Sequence, residues 1–289
     1  MQGAERTPPQ APPQEPLPAD PGLDADLALM REVAHAAGAL AMQFFRQPLR
    51  SEEKPGGQGP VSEADLAVET LLKMRLMTAR PSYGWLSEEA PDNATRLGCE
   101  RVFILDPIDG TRAFIAGQTG FGIAIALAVQ GRICAGVMHL PARGETYAAR
   151  LGGGAALNGR ALACGRRETL DGADVLVSRA ALQPAHWVGA PPIIKRHFRP
   201  ALAHRICLVA AARFDAFLTL RSTWEWDAAA ADIIAREAGL AISDRQGAPL
   251  SYNSAARRLD GVIVANPSLH AAICARLHGI PGPLLDPTD

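Results

Sequence analysis

The sequence predicts a mixed α and β protein of two lobes, an α+β half over residues 22–165 and an α/β half over residues 166–289. Three observations predict this. Apolar residues recur at helical spacing in two segments before residue 80. Strand-like runs joined by turn signals follow between residues 102 and 161. After residue 175, strands alternate with helical stretches.

Residues 1–21 are rich in Pro, Gln and Ala (Pro8, Pro9, Pro12, Pro13, Pro16, Pro18, Pro21) and are expected to form a disordered tail, because they cannot bury enough surface to order themselves. From Leu23 to Phe45, Leu27, Met30, Val33, Ala34, Ala37, Leu40, Ala41 and Phe44 keep helical spacing, and Pro48 lies just beyond. The breakers in Lys54–Pro60 mark a loop, and Ser62-Glu63-Ala64-Asp65 reads as a capping box opening a helix to about Thr78. In that reading Asp65 serves as an acid at the helix N-terminus. A strand, Val102–Leu105, runs into Asp106-Pro107-Ile108-Asp109-Gly110-Thr111, which puts two acids at a strand's carboxyl end, where open sheets bind ligands. Strands are expected at Gly122–Val129, Ile133–His139 and Thr146–Ala149, with a turn at Leu157-Asn158-Gly159-Arg160. The second half predicts strands at 175–177, 216–220, 240–243 and 261–265, and helices around Pro200–Ala212, Asp227–Ala238 (ended by Gly239) and Ser268–Leu277.

Composition narrows the function. A net charge of -1 gives no basic field for a nucleic-acid polymer or an anionic membrane, so an anionic ligand must be met locally. The longest apolar run, Phe121–Val129, is of strand length, well short of the roughly 18–20 residues that cross a bilayer. No basic segment followed by an apolar stretch marks a signal peptide. Five scattered cysteines without C-x-x-C spacing argue against a disulfide framework or a zinc knuckle. Together these point to a cytoplasmic protein.

Three acidic segments carry the chemistry: Ser87-Glu88-Glu89, Asp106 to Thr111, and Trp226-Asp227. Cleaving a phosphate monoester near neutral pH needs neutralised phosphoryl oxygens and an activated water, and metal ions held by carboxylates supply both. Magnesium takes oxygen ligands, so Asp and Glu at rigid positions are the expected signature. Pro107 forces Asp106 out of the helical region and Gly110 permits a tight turn, which splays Asp106 and Asp109 around one point. The backbone N–H groups of Gly110 and Thr111 then offer an anion site, and Asp227 opens an alanine-rich helix whose dipole favours its ionised form. Each segment alone has an ordinary reading, as a turn, a solvated surface or a helix cap.

Leu105-Asp106-Pro107-Ile108-Asp109-Gly110-Thr111-Arg112-Ala113-Phe114 resembles the first signature of the inositol monophosphatase superfamily, and Trp226-Asp227-Ala228-Ala229-Ala230 resembles the second. Pro60-Val61-Ser62-Glu63-Ala64-Asp65 and Ser87-Glu88-Glu89 stand at the expected order and distances, so the likeness spans nearly the whole chain after the tail. The resemblance implies a layered α-β-α-β-α sandwich, shared with fructose bisphosphatases, and two or three Mg2+ ions. By this carry-over Glu88, Asp106 and the Ile108 carbonyl hold one ion, Asp106, Asp109 and Asp227 a second, and Glu88 faces a third. Thr111 and Asp65 orient and deprotonate the attacking water, and Lys54 stands where the family has a lysine near the phosphate. It also implies inhibition by lithium and a small phosphorylated metabolite as substrate; homodimers are common in the family.

Inositol-specific members carry an acid a few residues before the second-motif Asp. Here Thr219 to Glu225 lacks it at the aligned positions and offers Arg221, which suits a second phosphate or, as readily, an exposed strand end. Gly110–Ile115 and Leu220–Asp227 resemble the bacterial 3'(2'),5'-bisphosphate nucleotidases of the CysQ type, which act on adenosine 3',5'-bisphosphate, a by-product of sulfur assimilation. Where those enzymes have Gly-Ser-Ser-Leu-Lys, this chain has Ala201-Leu202-Ala203-His204-Arg205; His204 and Arg205 are expected on a helix surface, with contact to a phosphate or base as the alternative. Inositol-1-monophosphatase, histidinol phosphatase and a non-catalytic phosphometabolite-binding protein are the alternatives.

Overall fold

The computed structural model describes residues 20–55 and 59–277. In chain order the elements are α1 (Gly22–Phe44), β1 (Ser51–Glu53), β2 (Pro60–Ser62), α2 (Glu63–Ala79), β3 (Gly84–Ser87), β4 (Arg101–Asp109), α3 (Thr111–Ile115), β5 (Gly122–Val129), β6 (Arg132–Leu140), β7 (Glu145–Arg150), β8 (Gly154–Leu157) and β9 (Arg160–Ala161). They continue with β10 (Asp174–Val177), β11 (Lys195–His197), α4 (Leu202–Ala210), β12 (Ala216–Thr219), β13 (Thr223–Trp224), α5 (Glu225–Glu237), β14 (Ala241–Ser243), β15 (Arg258–Leu259), β16 (Val262–Ala265) and α6 (Pro267–Arg276).

Strands β3 to β9 form a seven-stranded sheet in sequence order, parallel between β3 and β4 and antiparallel thereafter. A second sheet of five strands has the order β11-β10-β12-β16-β14, with β10 parallel to both its neighbours and β16 antiparallel to both of its own. Strand alternation sorts the side chains into layers. Phe103, Leu105, Ile123, Ile125 and Leu127 pack under Met30, Val33, Val68 and Leu72 of α1 and α2. Their neighbours Val102, Ile104, Ala124, Ala126 and Ala128 face α4 and α5, which also cover Phe217, Val262 and Val264 of the second sheet. Leu218, Ile263 and Ala265 face outward to Leu269 and Ile273 of α6. The result is the α-β-α-β-α stack that the resemblance implies.

The alanine run of α5 has a packing reason. Helix α5 lies on the inner face of β4–β7, and a Cβ added at Gly136 would sit 2.3 Å from the Ala230 carbonyl oxygen. Small residues on both surfaces therefore let the helix touch the sheet backbone, and any side chain at residue 136 would lift the helix that carries Asp227.

Sequence patterning located the long elements within a few residues. It gave no strand at 84–87 or 195–197 and neither small antiparallel pair, β1–β2 and β13–β15. Strand β4 also runs four residues further than expected, through Asp109, with a register shift between Asp106 and Asp109. Of the expected disordered tail, residues 1–19 lie outside the described residues. The carboxylate of Asp20 accepts from Gly22 N at 2.9 Å and pairs with Arg101.

Candidate active site

The ends of β3 and β4, the first turn of α5 and the start of α4 converge on a cleft of about 760 Å³ lined by Glu88, Asp106, Ile108, Asp109, Gly110, Thr111 and Asp227. Each carboxylate reaches it for a local reason. Glu88 follows β3, where its N–H continues the parallel ladder to the Leu105 carbonyl at 3.2 Å. Asp106 sits in β4, and its Oδ1 accepts from Ile108 N at 3.0 Å, which turns the carboxylate across the Pro107 kink. Asp227 is the third residue of α5, and its Oδ2 accepts from Trp224 N at 3.1 Å, closing the helix N-terminus.

Oxygens of Glu88, Asp106 and Asp227 lie within 4.8 Å of one another. Burial pushes the Asp106 carboxyl well up, and the charges of Glu88, Asp109 and Asp227 add to it. Asp227 is raised by burial first and then by Glu88 and Asp109. Three acids held this close, with only oxygen donors, form a set that a hard divalent cation fits: its charge would offset both the burial and the repulsion. Lys54 meets the outer edge of the same set, with its Nζ 2.5 Å from Glu88 Oε1 and 2.6 Å from Glu89 Oε1. Burial works against the Lys54 charge, but Glu88 and Glu89 more than offset it and hold its pKa above the ordinary value. Burial, then Glu88, carries Glu89 up to about 7.

Asp109 stands apart from the trio. Its two oxygens accept from Leu202 N and Ala203 N, both at 3.0 Å, so it caps α4 and sits at the positive end of that helix. Burial raises it to about 7 against the pull of those N–H groups. Asp65, 1% exposed, accepts from Ser62 N at 2.8 Å, as the capping box predicts, and also from Thr111 Oγ1 at 3.0 Å. Thr111 Oγ1 lies 3.1 Å from the Ile108 carbonyl too, so its single proton has two acceptors within reach. Burial raises Asp65, with the Ser62 and Thr111 hydrogen bonds opposing. Gly110 takes φ +94°, where a side chain would be strained and would crowd Ala201 Cβ at 3.1 Å.

Basic residues line the same cleft. Arg221 is exposed on the loop after β12 and lines the cleft. Arg205 lines it as well, half-buried, which corrects the expectation of a helix-surface residue: it stands in the first turn of α4, the turn whose N–H groups Asp109 binds. Its Nε donates to the Arg199 carbonyl at 2.5 Å, its guanidinium lies 4.5 Å over the Phe198 ring, and it makes no ion pair with a carboxylate of the described residues. Burial lowers the Arg205 pKa; the nearby Arg221 charge adds to that, while Asp109 and Asp227 oppose it. His204 is not on the surface either: it is 2% exposed, both ring nitrogens lack a partner among the described residues, and burial lowers its pKa to about 4. Glu225 points away, accepting from Asn253 N, Ser254 N and Ser254 Oγ. No local signal separates Arg205 from His204, since successive residues of one helical turn point about 100° apart. Phe198, in a loop, gave none either.

The family model of the inositol monophosphatase family matches residues 23–281. An inositol-1-monophosphatase of Rhizobium meliloti is 35% identical over 229 residues, 76% of this chain and 85% of that protein. A 3'-phosphoadenosine 5'-phosphate phosphatase of Mycobacterium leprae is 32% identical over 253 residues, 79% of this chain and 84% of that protein. Among solved structures, the extragenic suppressor protein suhB of Bartonella henselae superposes with a TM-score of 0.72 at 28% identity, covering 87% of this chain and 97% of that one. With its fold, its acidic trio and its matched length in agreement, the chain belongs to the inositol monophosphatase family of phosphomonoester hydrolases.

Proposed function

We propose that the chain is a magnesium-dependent phosphatase whose substrate is a nucleoside bisphosphate of the adenosine 3',5'-bisphosphate class. The observation that carries the substrate class is the basic wall: Arg205 and Arg221 line the same cleft as the acidic trio. A monophosphorylated polyol presents one anion, whereas a bisphosphate presents a second, suited to guanidinium groups by charge-assisted hydrogen bonds. The exposed Phe198 ring beside Arg205 offers a face on which a base can stack.

Glu88, Asp106 and Asp227 would hold magnesium, with Asp109 and the Ile108 carbonyl as further oxygen donors lining the cleft. Bound there, the metal would offset phosphoryl charge and acidify a water. The protein groups do the rest. Thr111 Oγ1, hydrogen-bonded to Asp65 Oδ1, can pass a proton from a water to that buried carboxylate. N–H groups at Gly110 and Thr111 meet phosphoryl oxygens. Lys54 shields Glu88 and Glu89 and stands at the edge where a further cation would enter.

The test is a side-by-side comparison of adenosine 3',5'-bisphosphate, inositol 1-phosphate and histidinol phosphate with one preparation, with and without magnesium, lithium and calcium. The bisphosphate should lead in kcat/KM by more than about tenfold, the scale of one charge-assisted contact. Lithium and calcium should both inhibit. A lead for inositol 1-phosphate would overturn the substrate class and leave the phosphatase standing.

A further inference from the structure

Helix α2 carries a second buried acid, Glu69, one turn after Asp65 and so on the same face. It is 7% exposed and its two oxygens have separate partners: Oε1 accepts from the Trp85 indole N–H at 3.0 Å, and Oε2 from the Ser87 hydroxyl at 2.6 Å. Trp85 and Ser87 alternate along β3 and therefore face α2 together. The next residue is Glu88. Its own N–H is tied to the Leu105 carbonyl at 3.2 Å, so the backbone that launches this carboxylate is gripped by the β4 ladder on one side and by Glu69, through Ser87, on the other. Asp65 grips the chain just past the end of β4 in the same way, through Thr111 at the start of α3, at 3.0 Å.

We propose that Glu69 is a positioning residue for the metal centre, holding Glu88 in register with Asp106 and Asp227, so that α2 acts as a two-rung clamp on the adjacent ends of β3 and β4. The inference rests on the metal-dependent reading above. The chemistry of the rung is specific: the hydroxyl and the indole both donate, and one carboxylate accepts from both, which neither an amide nor an apolar side chain does fully. Groups that orient metal ligands typically change metal affinity by about 10- to 100-fold when removed.

The experiment separates the two oxygens of Glu69. Binding of Mg2+ alone to the full chain is measured by calorimetry and by the magnesium-dependent rise in thermal midpoint, without substrate. Ser87→Ala should weaken magnesium binding by about tenfold or more. Trp85→Phe removes the other hydrogen bond from the same carboxylate and should lower the midpoint while leaving magnesium binding within about twofold, because it is not adjacent to Glu88. Glu69→Gln, which keeps one acceptor oxygen, should fall between wild type and Ser87→Ala. Equal shifts for Ser87→Ala and Trp85→Phe, or no shift in either, would overturn the clamp while leaving the metal site intact. A wild-type chain that binds no magnesium would overturn the metal reading itself.

Discussion

The acidic wall of the cleft, Glu88, Asp106 and Asp227, is carried by the ends of β3 and β4 and the first turn of α5. The basic wall, Phe198, Arg205 and Arg221, stands on the loop before α4, on its first turn and on the loop after β12. The first wall is fixed by sheet ladders and by a helix pressed onto bare backbone at Gly136. The second contains two loop positions, where side chains can change without disturbing a core. Their electrostatics also differ in sign. Burial and mutual repulsion raise the pKa values of Asp106 and Asp227, which a cation would relieve. Burial lowers that of Arg205, which an anion would relieve. In the proposed reading, metal chemistry sits on strand ends and a helix start, and substrate selectivity on the first turn of α4 and the loops beside it.

Breaking the acidic wall should have the largest effect. Asp106→Asn removes a charge from the trio and should lower kcat by more than about a thousandfold, while raising the thermal midpoint in EDTA because repulsion among the remaining acids falls. Steady-state rates and melting curves on one preparation test both halves, and a variant retaining more than about a tenth of the rate would move the centre elsewhere.

Breaking the basic wall should act on one substrate only. Arg205→Ala should reduce kcat/KM for adenosine 3',5'-bisphosphate by about tenfold or more and change inositol 1-phosphate by less than about threefold. An equal loss on both would make Arg205 a structural residue and undo the contrast.

A pH series sharpens the contrast in the metal-free protein. Asp109 and Glu89 are raised to about 7 in the folded chain, against roughly 4 when unfolded. Their contribution to stability is therefore complete below about pH 4 and lost as pH rises toward 7. Magnesium should reverse that loss, so its increment to the thermal midpoint should grow from pH 5 to pH 8. A constant increment would mean that these acids do not face the ion.

The smallest effect concerns the underside of the basic wall. His204 falls to a pKa of about 4 on burial, so it is neutral in the folded chain, and its contribution is present above the unfolded value near 6.5 and lost as pH falls toward 4. His204→Leu should change stability at pH 7 by no more than about 1 kcal/mol and flatten the acid limb of a denaturation series by up to ~3 kcal/mol. An unchanged acid limb would show that the ring is solvated.

The long elements were legible because their patterns are local. The helical spacing of α1 and the unbroken apolar runs of β5 and β6 are set by neighbours a few residues away, and the structure places them within a residue or two of expectation. Strand β3 was missed because four residues, Gly84 to Ser87, give no period to read; it exists through its parallel partner β4. Glu69 was missed for a related reason. On α2 alone it is one more acid among Glu63 and Asp65, and its meaning comes from Trp85 and Ser87 on another element.

The residue order alone pointed to Glu88, Asp106, Asp109 and Asp227 as the candidate acids and to the turn chemistry around Pro107 and Gly110, since spacing and backbone restriction act within a few residues. Which of those acids meet depends on the packed fold. Glu88, Asp106 and Asp227 come from positions up to 139 residues apart and converge within 4.8 Å, while Asp109 turns to cap α4. It also decided that Arg205 enters the cleft and His204 is buried, although the two are adjacent in the chain. The reason is geometric: a helix turns about 100° per residue, so two neighbours face different surroundings, and only the packing of α4 between the two sheets fixes which surroundings those are.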